Sequence, residues 1–137
     1  MDVWSPLRFN CGREMANRFA MAPLTTDSSH VDGTVADEEI EFIRRRAASG
    51  FGAVISSATY VEQDGRSWQG TGAAHDGHQA SLRRLAEAMR AAGGLAILQI
   101  CDGGRIAQPV DRRAYNACGV CGGLAAAGRE DTARDDL

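Results

Sequence analysis

The segment Gly52-Ala53-Val54-Ile55-Ser56-Ser57-Ala58-Thr59-Tyr60-Val61 constrains this chain most, because it is a nearly continuous run of apolar and small residues. A strand with one wet face alternates polar and apolar positions, whereas an unbroken run suits a strand covered on both faces, as in a parallel sheet. Parallel neighbours need a crossover, usually a helix, and a helical pattern lies on each side of this run. Before it, Thr34-Val35-Ala36-Asp37-Glu38-Glu39 places acids in a first helical turn, with Thr34 or Asp37 as the cap. Ala36, Ile40, Ile43 and Ala47 are spaced for one buried face, Phe42 flanks it, and Gly50 stops the helix. After the run, a polar loop from Glu62 to about Gly77 leads into a second helix. That helix spans about Gln79 to Ala92, with Leu82, Leu85, Ala86 and Met89 on one side, and Gly93-Gly94 ends it.

Two more apolar runs complete the pattern. Arg18-Phe19-Ala20-Met21-Ala22-Pro23-Leu24 reads as a strand entering a loop, with a turn at Asp32-Gly33. Leu95-Ala96-Ile97-Leu98-Gln99-Ile100 reads as a buried strand closed by the loop Asp102-Gly103-Gly104-Arg105. The order strand, helix, strand, helix, strand predicts βαβ units and a parallel α/β sheet. The strands should lie near 18–22, 52–57 and 95–100 as parallel neighbours in that order, with helices near 37–49 and 79–92 on one face. From about Ala107 to Gly128 there is no periodicity, which predicts a long loop, and Thr132 to Leu137 resembles the capped start of a third helix.

Charge and cysteine content narrow the function classes. A formal net charge of −3 offers no basic face for nucleic acid or a membrane surface. No apolar stretch approaches the roughly 18–20 residues of a membrane span. The N-terminus lacks a basic region followed by an apolar run, so Cys11, Cys101, Cys118 and Cys121 are expected as reduced thiols of a soluble cytoplasmic domain.

Two segments carry a resemblance. Asn17-Arg18-Phe19-Ala20-Met21-Ala22-Pro23-Leu24-Thr25-Thr26 resembles the first barrel strand of the old yellow enzymes, where an Asn-Arg pair, an apolar strand and a Met-Ala-Pro-x-Thr turn lie against a flavin. Leu98-Gln99-Ile100-Cys101-Asp102-Gly103-Gly104-Arg105 resembles that family's third-strand motif, Gln-Leu/Ile-x-His-x-Gly-Arg. Between them Asp32-Gly33, Arg45-Arg46-Ala47, Gly50-Phe51-Gly52 and Val61 with Gly65-Arg66 fall at the family's spacing. The chain thus resembles the N-terminal part of an old-yellow-enzyme-type NAD(P)H:flavin oxidoreductase.

The resemblance implies about three strands and two helices of a (β/α)8 TIM barrel over residues 1–106, followed by an irregular segment over 107–137. It implies FMN at the C-terminal strand ends, NADH or NADPH as reductant, and a small-molecule acceptor such as an activated alkene, the ene-reductase reaction. By position, Ala22, Pro23 and Leu24 would meet the isoalloxazine ring through their backbone. Thr25 would sit beside the flavin's reactive edge, Ala58 would give a small contact to the ring, and Gln99 would hydrogen-bond its pyrimidine side. No catalytic side chain and no metal ligand is assigned, because the family's substrate-anion pair and proton-donating tyrosine come from later strands.

Other features depart from the family or compete with it. Asp102 stands where the family has His, and such a barrel needs roughly 250 residues against 137 here. The chain is therefore read as truncated, inactive and prone to self-association. Cys118-x-x-Cys121 could be a redox pair or half a zinc site, but lies in a glycine-rich stretch without the usual second pair. His75 with Asp76 reads as a solvated turn or N-cap, and Gly103-Gly104 as a weak phosphate cradle. The alternative function is a non-catalytic α/β remnant that has lost flavin binding.

Overall fold

The structure, a computed structural model, describes residues 2–104 and 107. The readings for Arg105 and for the stretch beyond Ala107, including Cys118, Cys121 and the third helix, lie outside the described residues.

The chain opens with a hairpin absent from the sequence reading. Strands β1 (Leu7–Arg8) and β2 (Glu14–Met15) pair antiparallel, Leu7 opposite Met15. The parallel sheet then begins at β3 (Ala20–Met21) and continues through helix α1 (Asp37–Ala47) and β4 (Ala53–Tyr60). A short strand β5 (Thr71–Gly72), helix α2 (Gln79–Arg90) and β6 (Leu95–Cys101) follow. β3, β5 and β6 all pair parallel to β4. The expected strands are thus parallel neighbours in the expected order, and β4 runs on to Tyr60 rather than ending near residue 57.

β5 is an addition within the segment read as a loop. β6 occupies one edge of β4 from Ala53 to Tyr60, so β3 and β5 must share the other edge. β3 takes the lower part, with Ala20 opposite Ala53 and Met21 opposite Val54. β5 takes the upper part, with Thr71 opposite Thr59 and Gly72 opposite Tyr60. Two residues carry too little pattern for a period-2 reading, which is why Thr71-Gly72 escaped it.

Both helices lie on one face of the sheet. Met21 and Val54 from the strands join Val35, Ile43 and Ala47 of the first crossover and Leu85 and Met89 of α2 in a single core. Each large apolar side chain fully buried there contributes about 1.5–3 kcal/mol. The cap expectation fails at α1: the N-cap is Ala36, which makes no side-chain cap bond, and Asp37 is already helical. Thr34 instead donates its hydroxyl to Asp32 at 2.7 Å. The exposed Asp37 pairs with Arg84 of α2. Each helix ends three residues before its expected glycine, α1 at Ala47 and α2 at Arg90.

Asn17 fixes how β3 enters the sheet. Its Nδ2 donates to the Gly50 carbonyl at 2.8 Å, and its Oδ1 accepts from the N–H groups of Gly52 and Phe19, each at 3.0 Å. A Cβ on Gly52 would stand 2.4 Å from the Asn17 carbonyl oxygen, so this close approach admits only glycine. The Asn-Arg and Gly-Phe-Gly motifs are therefore two halves of one clamp. Asn17→Ala removes its three side-chain hydrogen bonds and should destabilise the chain by about 1–3 kcal/mol. The expected readout is a lower urea midpoint with an unchanged m-value.

Candidate functional site

Residues that alternate along a strand point to opposite faces. Val54 packs in the helix-covered core, so its neighbour Ile55 and Ile55's register partner Ile97 face away from the helices. The next matched pair is Ala58 with Gln99, so three steps along β4 match two along β6. That is a β-bulge, with Ser56 and Ser57 opposite the single residue Leu98. The extra residue restores the parity, and Ala58 and Gln99 share the face of Ile55 and Ile97. A small side chain and a carboxamide thus sit side by side near the C-terminal ends of parallel strands.

The bulge interrupts the ladder, and Ser56 repairs it. The Gln99 N–H donates to Ser56 Oγ at 3.0 Å, and that hydroxyl donates to the Ser57 carbonyl at 2.8 Å. The Gln99 carboxamide makes no hydrogen bond among the described residues, and both Ala58 and Gln99 are half-buried.

Ala22, Pro23, Leu24 and Thr25 leave the top of β3 as exposed chain. Met21 pairs at the level of Val54, below Ala58. At about 3.3 Å per residue, four extended residues span about 13 Å, enough to climb to the level of Ala58. They do not pair with β4 there, because β5 occupies that edge beside Thr59 and Tyr60. The structure therefore brings Ala58 and Gln99 together, and sets Ala22 to Thr25 on the loop that rises from β3.

The loops above the strands form a second layer. Asp32 Oδ1 accepts from the Thr34 N–H and hydroxyl, and the backbone bond foremost holds its carboxyl below the usual range. Gly33 follows at φ 87°, and a Cβ there would lie 2.0 Å from the Tyr60 hydroxyl oxygen. Only glycine satisfies both the left-handed backbone and the missing space. His78 is 0% exposed. Its Nε2–H donates to the Asp32 carbonyl at 2.8 Å, and its ring stacks on His75 at 3.9 Å between centroids. Burial pushes the Tyr60 hydroxyl above its ordinary pKa. His75 caps the turn before α2, accepting from the Gly77 N–H at 3.1 Å, so the N-cap reading of His75 holds.

Asp102 works as a turn former. Its Oδ1 accepts from the Gly104 N–H at 2.7 Å, and the Gly103 N–H donates to the Gly65 carbonyl at 2.7 Å, docking the β6 loop on the β4 loop. A phosphate in that turn would face the Asp102 carboxylate, which removes the support for reading Gly103-Gly104 as an anion cradle. Among the described residues no group of three or more His, Cys, Asp or Glu could hold a metal ion, and no helix is long and apolar enough to cross a membrane.

The sequence reading missed Glu39, Ser57 and Thr71, which form a buried polar group beneath Ala58 together with Ser29. The signal was present: Glu39 stands three residues after Ala36 and four before Ile43, on the stripe that faces the core.

Parallel strands joined by helices on one face, with a small-polar pair near their C-terminal ends, define the class: the opening segment of a (β/α)8 barrel. The profile of the NADH:flavin oxidoreductase / NADH oxidase family matches residues 2–133, and the chain belongs to that family. It is 39% identical over 108 residues to NADH:fumarate oxidoreductase of Klebsiella pneumoniae (strain 342), covering 78% of this chain and 12% of that protein. It is 41% identical over 102 residues to NADH:acrylate oxidoreductase of Vibrio harveyi, covering 74% of this chain and 10% of that one. A probable NADH-dependent flavin oxidoreductase of Bacillus subtilis (strain 168) is 36% identical over 103 residues, with 74% and 27% covered. Among solved structures, morphinone reductase in complex with tetrahydroNAD superposes with a TM-score of 0.70 at 28% identity, over 78% of this chain and 29% of that one. The old yellow enzyme homologue from Zymomonas mobilis gives 0.70 at 29%, over 77% and 29%. These neighbours are old yellow enzyme barrels, and the described residues share the opening part of that fold. FMN and NAD(P)H are the cofactors that the family implies.

The environments of the two described cysteines differ enough to test. Cys11 is exposed, while burial, reinforced by the Asp102 carboxylate, pushes the Cys101 thiol above its ordinary value. The thiolate is the reacting form, so iodoacetamide at neutral pH should modify Cys11 well before Cys101. Peptide mass mapping of a time course reads the order directly.

Proposed function

We propose that this chain forms the flavin-facing first part of an FMN-dependent oxidoreductase that draws electrons from NADH and passes them to a small-molecule acceptor such as an activated alkene. The observation that carries the reading is the Ala58–Gln99 pair, held by the bulge near the C-terminal ends of β4 and β6 on the face away from the helices. The residues fit a flavin ring edge. Ala58 leaves room for a flat ring, Ile55 and Ile97 extend an apolar floor, and the Gln99 carboxamide offers a donor and an acceptor with no protein partner among the described residues. Ala22, Pro23, Leu24 and Thr25 supply the neighbouring wall. FMN, when bound, carries the hydride chemistry, while the protein orients it and tunes its ring through hydrogen bonds. NADH is chosen as donor because it stands in the names of all three relatives. The acceptor is left at the level of a class, since the match covers only 12% and 10% of the fumarate and acrylate enzymes.

We further propose that the 137-residue chain alone neither retains FMN nor turns over. The four described parallel strands, two of them only two residues long, cannot close a barrel, and Ile97, Leu98 and Ile100 of β6 stay 37%, 45% and 66% exposed. Apolar exposure of this kind favours self-association. Purified with excess FMN and then desalted, the chain should keep no stoichiometric flavin and oxidise NADH no faster than free FMN. Retained flavin with turnover would overturn this. Any weaker binding, followed by flavin fluorescence, should fall about fivefold in Gln99→Leu through loss of a hydrogen bond of about 1 kcal/mol. An unchanged titration would remove Gln99 from the site.

A further inference from the structure

Glu39 is 2% exposed, and its neighbours are buried with it, Ser29 at 2%, Ser57 at 4% and Thr71 at 1%. A carboxyl removed from water is costly unless hydrogen bonds replace the lost hydration. Here three hydroxyls do so. Ser29 donates to Oε2 at 2.8 Å, Ser57 donates to Oε1 in a short bond, and Thr71 lies 3.3 Å from Oε2. Among the described residues the carboxylate has no ion pair. These partners come from the loop after β3, the bulge of β4 and the short strand β5, so one side chain of α1 joins three separate segments.

Ser57 is one of the two residues that face Leu98 across the bulge. Its side chain reaches α1, and its carbonyl accepts from Ser56, whose hydroxyl accepts the Gln99 N–H. Without the extra residue, Ser57 would stand opposite Gln99 and Ala58 would turn toward the helices, because a one-residue slip reverses every side chain. At the bulge itself the side chains offer little resistance to that slip, since Ser56, Ser57 and Ala58 are all small. Beyond it Tyr60, buried against Gly33 and His78, opposes the slip from the far end of the strand.

We propose that Glu39 is a positioning residue that sets the register of β4: by gripping Ser57 it holds the bulge that places Ala58 beside Gln99. Its bearing on flavin binding rests on the functional reading above, but the register itself can be read without flavin. In the held register positions 58 and 99 are direct partners across adjacent parallel strands, within the Cα separation that a disulfide spans.

The test uses the full chain with its four native cysteines changed to Ser and the pair Ala58→Cys, Gln99→Cys added. Mild oxidation should link positions 58 and 99, as mapped by peptide mass. Adding Glu39→Ala or Ser57→Ala should slow the link about tenfold, the scale expected for loss of a buried hydrogen bond to a carboxylate. Glu39→Gln, whose amide oxygen still accepts from Ser57 and whose NH2 donates to the other hydroxyls, should link within about twofold of the reference. Thr71→Val, which leaves the Ser57 bond intact, should do the same. The proposal is overturned if the reference does not link, if folded Glu39→Ala links at the reference rate, or if Glu39→Gln is as slow as Glu39→Ala. Should Glu39→Ala fail to fold, Ser57→Ala decides, and an unchanged rate there overturns the proposal. Failure of the chain to bind FMN would leave this result standing and count only against the functional reading.

Discussion

Parallel pairing along β4 is the constraint on which the rest depends. A strand has two edges and two faces, and β4 uses both edges within this short chain. β6 runs along one edge, while β3 and β5 divide the other. Each parallel partner can reach β4 only through a crossover, so the helices follow from the pairing rather than standing beside it. α1 and α2 must cross the same face, and their apolar stripes meet over Val54 and Met21.

The same strand carries two kinds of interior. Near its start Val54 contributes to a dry apolar core, where burial supplies the stability. Further along, the serines of the bulge and the hydroxyl of Thr71 surround a buried carboxylate. Apolar packing tolerates small shifts in register at small residues, whereas hydrogen bonds fail within a few tenths of an ångström. Placing the polar group beneath the bulge puts the more exacting interaction where the strand could slip. The cost of burying Glu39 is met locally by hydroxyl donors, without a cation in the described residues.

At the other end of the strands the Asn17 clamp plays a comparable part. It couples the entry of β3 to the turn between α1 and β4 through Gly50 and Gly52. One end of the βα unit is thus fixed by side chain to backbone bonds, the other by hydroxyl to carboxyl bonds, and the part between by hydrophobic contact. β6, in contrast, is paired on one edge only among the described residues, and its Leu98 and Ile100 are exposed. In the solved relatives this chain matches less than a third of the barrel, which agrees with a sheet carrying unsatisfied surface on that side.

Alternation of apolar runs with helical stripes was enough to determine three strands, two helices, their parallel order and the shared face of the helices. These follow from period and composition, which are local properties. The motifs Asn17-Arg18, Gly50-Phe51-Gly52 and Gln99 were also legible as a family pattern, though not the clamp that joins the first two. Tertiary structure alone decided the rest. β5 exists because the top of the β4 edge was free after β3 departed, and nothing in Thr71-Gly72 announces a strand. The α1 cap went to Ala36 because Asp32 claimed the Thr34 hydroxyl. Glu39 lay on the buried stripe in plain view, but a carboxylate is placed in a core only when donors from distant segments converge on it. Ser29, Ser57 and Thr71 are separated from it by 10, 18 and 32 residues, and no local pattern encodes their meeting.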